Sequence, residues 1–553
     1  MSSAASTVLR AIAPLLPRRS DYADLKHTWK TDIIAGVTVG VVALPLALAF
    51  GVSSGVGAEA GLITAIVAGL IAAIFGGSNV QVSGPTGAMV VVLAPIVASH
   101  GVGSVMIVSV MAGVILVVAG AMRLGRTVGY IPWPVIEGFT VGIGIIIFLQ
   151  QVPGALGVSG EGRSTSAVVA AFQSAADAKV PDVLYSLGVV IVVAAIMLIL
   201  SAKLPKAPAS FVAILIVSVV AALAGLPLAT IGELPSSLPL PALPAVPLGA
   251  LPALVGPAFA VAALAAIESL LSVRVASSMA DTGPYNADRE LVGQGLASVA
   301  SGMFGGMPAT GAIARTAVNV RTGARTRMAA IVHALALLAV VYLAANVVSE
   351  IPLAALAGVL MVTAARMISP RIIKLVMGST RSDALVFVIT IVVTVAFDLI
   401  VAVGIGIAVT AFFALRALSR ASGIHREELR GPAQPGDDKI ALFRLDGSLF
   451  FGAAERVLES VSTYEGVKVV ILRMSQVQRV DATGAHTLSE LVTSLERSGI
   501  TVLIKGIRQE HTHVFQQLGV MSSLRHENHI FDDLGPAIAH ARSHVARLEP
   551  STT

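Results

Sequence analysis

Stretches with no Asp, Glu, Lys or Arg recur along the chain, among them residues 33–58, 60–99, 101–122, 138–160, 183–202, 207–232, 234–267, 351–365, 384–397 and 399–415. A helix that crosses a bilayer needs about 20 mostly apolar residues, fewer where it is broken, and lipid admits only helices or closed barrels. Runs of this length therefore predict a polytopic α-helical membrane protein. Composition agrees, with 55% of the 553 residues hydrophobic and 12% charged, against roughly 25% charged in soluble domains. A soluble enzyme is excluded. The chain has no Cys, which removes disulfide frameworks, thiolate catalysis and Cys-ligated metal centres. Breaking the longer runs at their Gly and Pro clusters predicts about fourteen spans. They start near Ile33, Gly57, Pro85, Ser104, Ile131, Val183, Ala207, Leu251, Leu291, Ala309, Met328, Ile351, Asp383 and Leu399.

Basic residues orient these spans. With the N-terminus inside, the inside loops receive Arg123 and Arg126, Lys203 and Lys206, Arg289, then Arg321, Arg325 and Arg327, then Arg366, Arg371, Lys374 and Arg381; the outside loops keep Arg163 and Lys179. This is a positive-inside pattern, so the net charge of +5 is read as topology, with no nucleic-acid partner and both ends cytoplasmic. Residues 1–30 read as an uncleaved cytoplasmic tail, because no apolar signal core precedes their basic residues. The membrane domain covers 31–420, and after Arg416 the composition turns polar, giving a linker at 421–438 and a cytoplasmic soluble domain at 439–548. Its strands are read at "KIALFRLDG", "VKVVILRM" and "ITVLIKG", alternating with a helix from Ala453, the helix "GAHTLSELVTSLERSG" and two later helical stretches. That pattern predicts a small α/β domain.

The membrane domain repeats itself. Thr86-Gly87-Ala88-Met89 and Thr310-Gly311-Ala312-Ile313, each closely preceded by Pro, lie 224 positions apart, and Pro132 and Pro352 recur 220 apart. Two matches at nearly one offset predict a 7+7 repeat, about 31–227 and 250–420, and because seven is odd the second unit is inverted. Both Thr-Gly-Ala segments follow an extended stretch, "NVQVSG" or "MFGGMP", so half-helices at 85–99 and 309–321 are expected to begin in mid-membrane. Their first N–H groups lack intrahelical partners and each end carries roughly half a positive charge, so two facing ends make an anion site. The expected substrate-binding residues are Thr86, Gly87, Ala88 and Met89 with Thr310, Gly311, Ala312, Ile313, Ala314 and Arg315.

Arg315 sits among apolar neighbours, where a cation calls for an anion, a cavity or a structural pair with Glu268. Glu268 is the sole charge between Glu233 and Arg274. It is either a coupling-ion site, taking a proton or sodium, or half of a packing salt bridge, and Ser272 lies one turn on, on the same face. The hydroxyls of Thr86 and Thr310 either reach the ligand or cap their helices. Glu137 is expected in a loop or gate salt bridge, His333 packed against a neighbour, Asp398 in an external turn, and the Pro-rich segment 233–252 in an external connector.

The segments "DIIAGVTVGVVALPLALAFG", "VSGPTGAMVVVLA", "IESLLSVRVASSM" and "ELVGQGLASVASGMFGGMPATGAIARTAVN" resemble the SulP (sulfate permease) family of secondary anion transporters, and the tail is similar to its STAS domain. The likeness runs from about residue 25 to 545. It implies fourteen spans in an inverted repeat, a core domain rocking against a gate domain, and a homodimer. It also implies a substrate near Ala88, Met89 and Ala312 to Arg315, drawn from sulfate, bicarbonate, chloride and dicarboxylates. The family's carboxylate on the eighth helix falls on Glu268; sodium-coupled bicarbonate relatives tend to have Asp there, so Glu favours a proton. STAS domains of bacterial anti-sigma antagonists carry an Asp-Ser-Ser-Gly phosphorylation motif. Asp481-Ala482-Thr483-Gly484 keeps a hydroxyl at Thr483, a candidate regulatory site, but loses the preceding Ser, and helix capping by Asp481 explains the same residues.

The expectation is a secondary active transporter of small anions in the bacterial inner membrane, coupled to protons through Glu268 and working by alternating access. Sodium-coupled bicarbonate symport, nucleobase–proton symport, a passive anion channel, and a sensor reporting to a soluble partner through the STAS domain are the alternatives. No cofactor, metal or enzymatic activity is expected, since the soluble domain shows no metal-spaced His set and no nucleophile constellation.

Overall fold

The computed structural model describes residues 15–548 except 127–130, 159–163, 165, 205–206, 235–236, 245–248, 250, 282, 397–403, 407, 414–423, 430 and 450–465. Contacts divide the chain into two units, one ending at Ala408 and the other starting at Val409, earlier than the boundary read from composition.

The first unit is helical. Its first half holds α1 (Leu25–Ser53), α2 (Ala58–Phe75), the short strand β1 (Ser83–Gly84), α3 (Gly87–His100), α4 (Gly103–Ala121), α5 (Trp133–Gln150), α6 (Ala167–Asp177), α7 (Val180–Lys203) and α8 (Ala209–Leu223). Its second half holds α9 (Leu251–Met279), α10 (Ala287–Met303), β2 (Thr310–Gly311), α11 (Ile313–Arg321), α12 (Met328–Ser349), α13 (Leu353–Met367), α14 (Pro370–Met377) and α15 (Arg381–Ala396). Among the described residues, eight helices are long and apolar enough to cross a membrane, and α3 and α8 are shorter apolar helices. Residues 404–406 and 408–413 are also helical, while Arg163, Lys206, Asp398 and the expected span start at Leu399 lie outside the described residues.

Packing repeats with the halves exchanged. The contact of α4 with α10 has its counterpart in α2 with α12, that of α1 with α11 in α9 with α3, and that of α5 with α15 in α7 with α13. Small residues permit the closest of these. A Cβ on Gly113 would come within 2.6 Å of the Gly295 carbonyl, and one on Gly295 within 2.5 Å of the Gly113 carbonyl, so α4 and α10 meet backbone to backbone.

Several residues expected in loops are structural. α1 starts at Leu25, inside the expected tail, so Lys26 and Lys30 are helical. Arg289 stands in the first turn of α10, where the Asn286 side chain accepts from its N–H at 3.0 Å as the N-cap. Arg327, read as an inside-loop cation, is buried against the end of α2, donating from Nη1 to Gly76 O at 2.7 Å and Ala73 O at 3.1 Å. These are carbonyls that a helix end leaves without partners, and a cation suits them. Asp32 of α1 in turn accepts from Arg325 N at 2.7 Å and from Thr326 Oγ1 at 2.6 Å, pinning the first helix to the start of α12.

The second unit is a five-stranded sheet in the order β3 (Ile424–Glu427), β4 (Ile440–Leu449), β5 (Val469–Val480), β6 (Thr501–Lys505), β7 (Ile530–Phe531), with β3 antiparallel and the rest parallel. Alternation along the strands feeds two cores. Ala441 and Phe443 meet α16 (Ala482–Arg497) and α17 (Gln509–Gln517), while Ile440 and Leu442 meet α18 (Leu534–Leu548). The linker reading of 421–438 is corrected by β3. Its charges suggested solvent, yet Glu427 accepts from Arg444 Nη1 at 2.7 Å and Arg473 Nη1 at 2.8 Å on the neighbouring strands. β7 was also missed, being two residues long, and the helix expected from Ala453 lies outside the described residues.

Candidate functional site where two half-helices begin

The extended stretches before α3 and α11 cross in an antiparallel ladder, Ser83 opposite Gly311 and Gly84 opposite Thr310. Ala312 N lengthens it by donating to Val82 O at 2.9 Å. The two chains leave this crossing in opposite senses, as an inverted repeat requires.

The two helices do not start alike. Thr86 is the N-cap residue of α3 and Gly87 opens the helix, as the sequence suggests. In the second half Thr310-Gly311 stays extended, Ala312 is the N-cap residue and Ile313 opens the helix, later than the expected start at 309, so Arg315 is its third residue. The cause is competition for donors and acceptors. Gly311 N donates to Ser269 Oγ at 2.9 Å, and the Ser269 and Thr310 hydroxyls lie 3.0 Å apart, so α9 and β1 take the groups that an earlier helix start would use.

Thr86 does not cap with its side chain; its hydroxyl donates to Glu268 Oε2 at 2.8 Å. Glu268, on α9, is partly buried, so the carboxylate is joined to the first half-helix and still reachable. Ser272 does not share it: its hydroxyl meets Thr316 Oγ1 at 3.1 Å, and Thr316 Oγ1 accepts from Val82 N at 3.1 Å. Ser272 ties α9 to the crossing. Arg315 is 2% exposed, donates from one Nη to the Pro85 carbonyl, and holds Nη1 buried with no hydrogen-bond partner. Among the described residues no ion pair joins it to Glu268, so the structural-pair reading does not describe this geometry. A Cβ on Gly84, whose φ of +154° already favours glycine, would lie 2.7 Å from Nη1.

The other candidates surround this point. Ala88 and Met89 are buried, and a Cβ on Gly87 would come within 2.3 Å of Ile147 Cδ1 on α5, so α3 starts hard against that helix. Ile313 is partly exposed and Ala314 exposed in the first turn of α11. A cavity of about 460 Å³ is lined by Arg126, Leu270, Arg274, Asn286 and Asp288 among others. Arg274 lies about 9 Å beyond Glu268 along α9 at the helical rise, so the cavity opens a cation-bearing mouth on the same helix.

Sequence reasoning missed Gln81, whose buried amide has neither heavy atom hydrogen-bonded and lies beside Gly311. Its signal was an amide inside a charge-free extended stretch. Glu290 was also missed; it accepts from Gly77 N at 2.7 Å and Gln294 Nε2 at 2.8 Å, holding the approach to β1. His333 is packed as expected, at 0% exposure, and neither ring nitrogen has a partner. Glu137 accepts from Trp133 Nε1 at 2.9 Å, which replaces the expected salt bridge. In the soluble unit Asp481 caps α16 by accepting from Gly484 N at 2.7 Å, and Thr483 is exposed in the first turn.

The model of the sulfate permease family matches residues 29–390, and that of the STAS domain residues 432–537. A putative sulfate transporter of Bacillus subtilis, YvdB, is 34% identical over 515 residues, covering 91% of this chain and 96% of its own. The bicarbonate transporter BicA of Picosynechococcus is 31% identical over 492 residues, covering 83% and 86%. The solved transmembrane domain of a cyanobacterium bicarbonate transporter BicA matches with a TM-score of 0.62 at 33% identity, over 68% of this chain and 98% of that one. The overall structure of SLC26A9 matches with a TM-score of 0.81 at 15% identity, over 99% and 96%, a likeness of fold. With most of its length inside the family model and four of the five strands of its closing sheet inside the second, the chain belongs to the sulfate permease family of membrane anion transporters and carries a STAS domain.

Proposed function

We propose that this protein is a secondary active symporter that moves a small anion, sulfate, bicarbonate or a dicarboxylate, together with a proton by alternating access in the bacterial inner membrane. The observation that carries the reading is the buried Nη1 of Arg315, unpartnered beside the crossing from which α3 and α11 begin. A desolvated guanidinium without an acceptor costs several kcal/mol, and an anion supplies both the acceptor and the countercharge. The free N–H groups of the two helix starts add donors without adding a second cation.

Glu268 sets the coupling. Its carboxylate sits on the Thr86 hydroxyl at the start of α3, so an ionised Glu268 repels an anion held there. Protonation removes the repulsion, and by linkage each ligand favours the other. Relatives named as sulfate and bicarbonate transporters support this substrate range. The mouth lined by Arg126 and Arg274 would gather anions on one side.

The test uses the purified protein in liposomes holding a pH dye. Sulfate, bicarbonate, fumarate and succinate are added singly without sodium, with protein-free liposomes correcting for passive entry. Proton entry with one of the anions is expected, and Glu268→Gln is expected to take up anion with no pH dependence. Uptake that requires sodium would replace the proton, and a Glu268→Gln profile identical to wild type would remove Glu268 from coupling.

A further inference from the structure

Three histidines of the STAS unit, carried by two different elements, meet at the β7 edge of its sheet. His529 closes a short 3-10 turn (Glu527–His529) directly before β7, and His540 and His544 lie one turn apart on α18. Because α18 packs against β4, β5, β6 and β7, it carries both of its histidines to the residue that enters the edge strand. Each of the three can offer a ring nitrogen within 4.8 Å of the other two. The His529 ring centroid lies 5.5 Å from that of His540 and 5.4 Å from that of His544.

Two further observations point to a ligand. His529 is 3% exposed, and its Nδ1 is buried with no hydrogen-bond partner, a state that burial alone makes costly. The Nε2 atoms of His540 and His544 are 3.2 Å apart, close to the roughly 3.3–3.4 Å edge of a tetrahedron whose ligands stand about 2.0–2.1 Å from zinc. An all-imidazole set suits a borderline divalent transition metal and disfavours magnesium and calcium, which take oxygen ligands.

We propose that His529, His540 and His544 form a zinc site in the STAS domain, three-coordinate from protein with a fourth position open, which clips the last helix to the edge strand. The sequence reading found no metal-spaced His set in this domain, since His540 and His544 alone make only a pair and the third ligand comes from another element. The open position would accept water or a side chain of a partner, so metal could govern what the domain binds.

The full chain, purified in detergent through a tag free of histidine and stripped with a chelator, is dialysed against zinc and analysed for bound metal. One zinc per chain is expected, held with a Kd below about 10 µM, and cobalt in its place should give the visible absorption of a four-coordinate site. His540→Gln and His544→Gln, both at partly exposed positions, should each weaken binding by about tenfold or more while the circular dichroism spectrum stays native. His486→Ala, at an exposed histidine elsewhere in the domain, should leave binding unchanged. Zinc should also raise the thermal midpoint of the wild-type STAS transition and leave that of the variant carrying both His540→Gln and His544→Gln (the double variant) unmoved. Wild-type protein that holds no zinc below about 100 µM, or a double variant that keeps its zinc, overturns the proposal.

Discussion

The half-helices α3 and α11 begin with the same Thr-Gly-Ala triplet and use it differently. In α3, Thr86 is the N-cap residue of a helix of 14 residues, and from there to Ser99 no other side chain is polar. In α11, Thr310-Gly311 is strand, and the nine helical residues carry Arg315, Thr316 and Asn319, all buried. Duplication thus supplies a symmetric scaffold, and the chemistry is placed on one side of it. Two facing arginines would repel each other at the crossing; one arginine with a carboxylate on a third helix is the arrangement that the proposed anion–proton coupling uses.

The largest effect expected from this asymmetry is at Arg315. Arg315→Met should lower initial anion uptake in proteoliposomes by about 100-fold or more, while Val91→Met, an apolar exchange at the matching, partly buried position of α3, should stay within about threefold of wild type. Equal losses would break the comparison. Gly84→Val comes next, since its new Cβ meets Arg315 Nη1 at 2.7 Å and Ala65 Cα at 3.4 Å with φ at +154°. A cost of about 1–3 kcal/mol is expected, read as a lower thermal midpoint together with weakened anion affinity. Pro308→Ala, at the matching position of the second half, should give neither.

Ser269→Ala removes the acceptor that keeps Gly311 extended, leaving a buried N–H without a partner. About 1–2 kcal/mol of stability should be lost, whereas Thr86→Val, which ends the hydroxyl contact with Glu268, should change transport with a smaller shift in melting. The smallest effect lies in the soluble sheet, where Arg444 and Arg473 are both ion-paired to Glu427. Burial disfavours the charged Glu427, but hydrogen bonds from Arg473 and Arg444 outweigh it and hold the carboxyl below its ordinary value. Its folded pKa is therefore the lower one, so the stabilisation is complete above an unfolded value of about 4.3 and is lost as pH falls through the folded value. Glu427→Gln should cost the STAS transition about 1 kcal/mol or less at pH 7 and nothing further in acid, where wild type converges on it.

Much of the site was legible in the chain itself. Glu268 and Arg315 stand out as isolated charges in apolar sequence, and the paired Thr-Gly-Ala segments mark both half-helices. Gln81 was harder to see, since an uncharged amide barely disturbs hydropathy, and Ser272 was misplaced because sharing a helix face with Glu268 does not say which neighbour its hydroxyl meets.

Hydropathy and spacing by themselves determined that the chain is polytopic, that it is an inverted duplication, that two short helices follow paired extended stretches, and that an α/β domain follows. These are properties of a window or an offset, which any local reading averages correctly. The tertiary structure alone decided where α11 begins, that Arg315 has no ion pair among the described residues, that Thr86 serves Glu268, that the charged Ile424–Glu427 is a strand, and that His529 meets α18. Each depends on which donor reaches which acceptor first, and in every case a competing group is brought by another element of the fold.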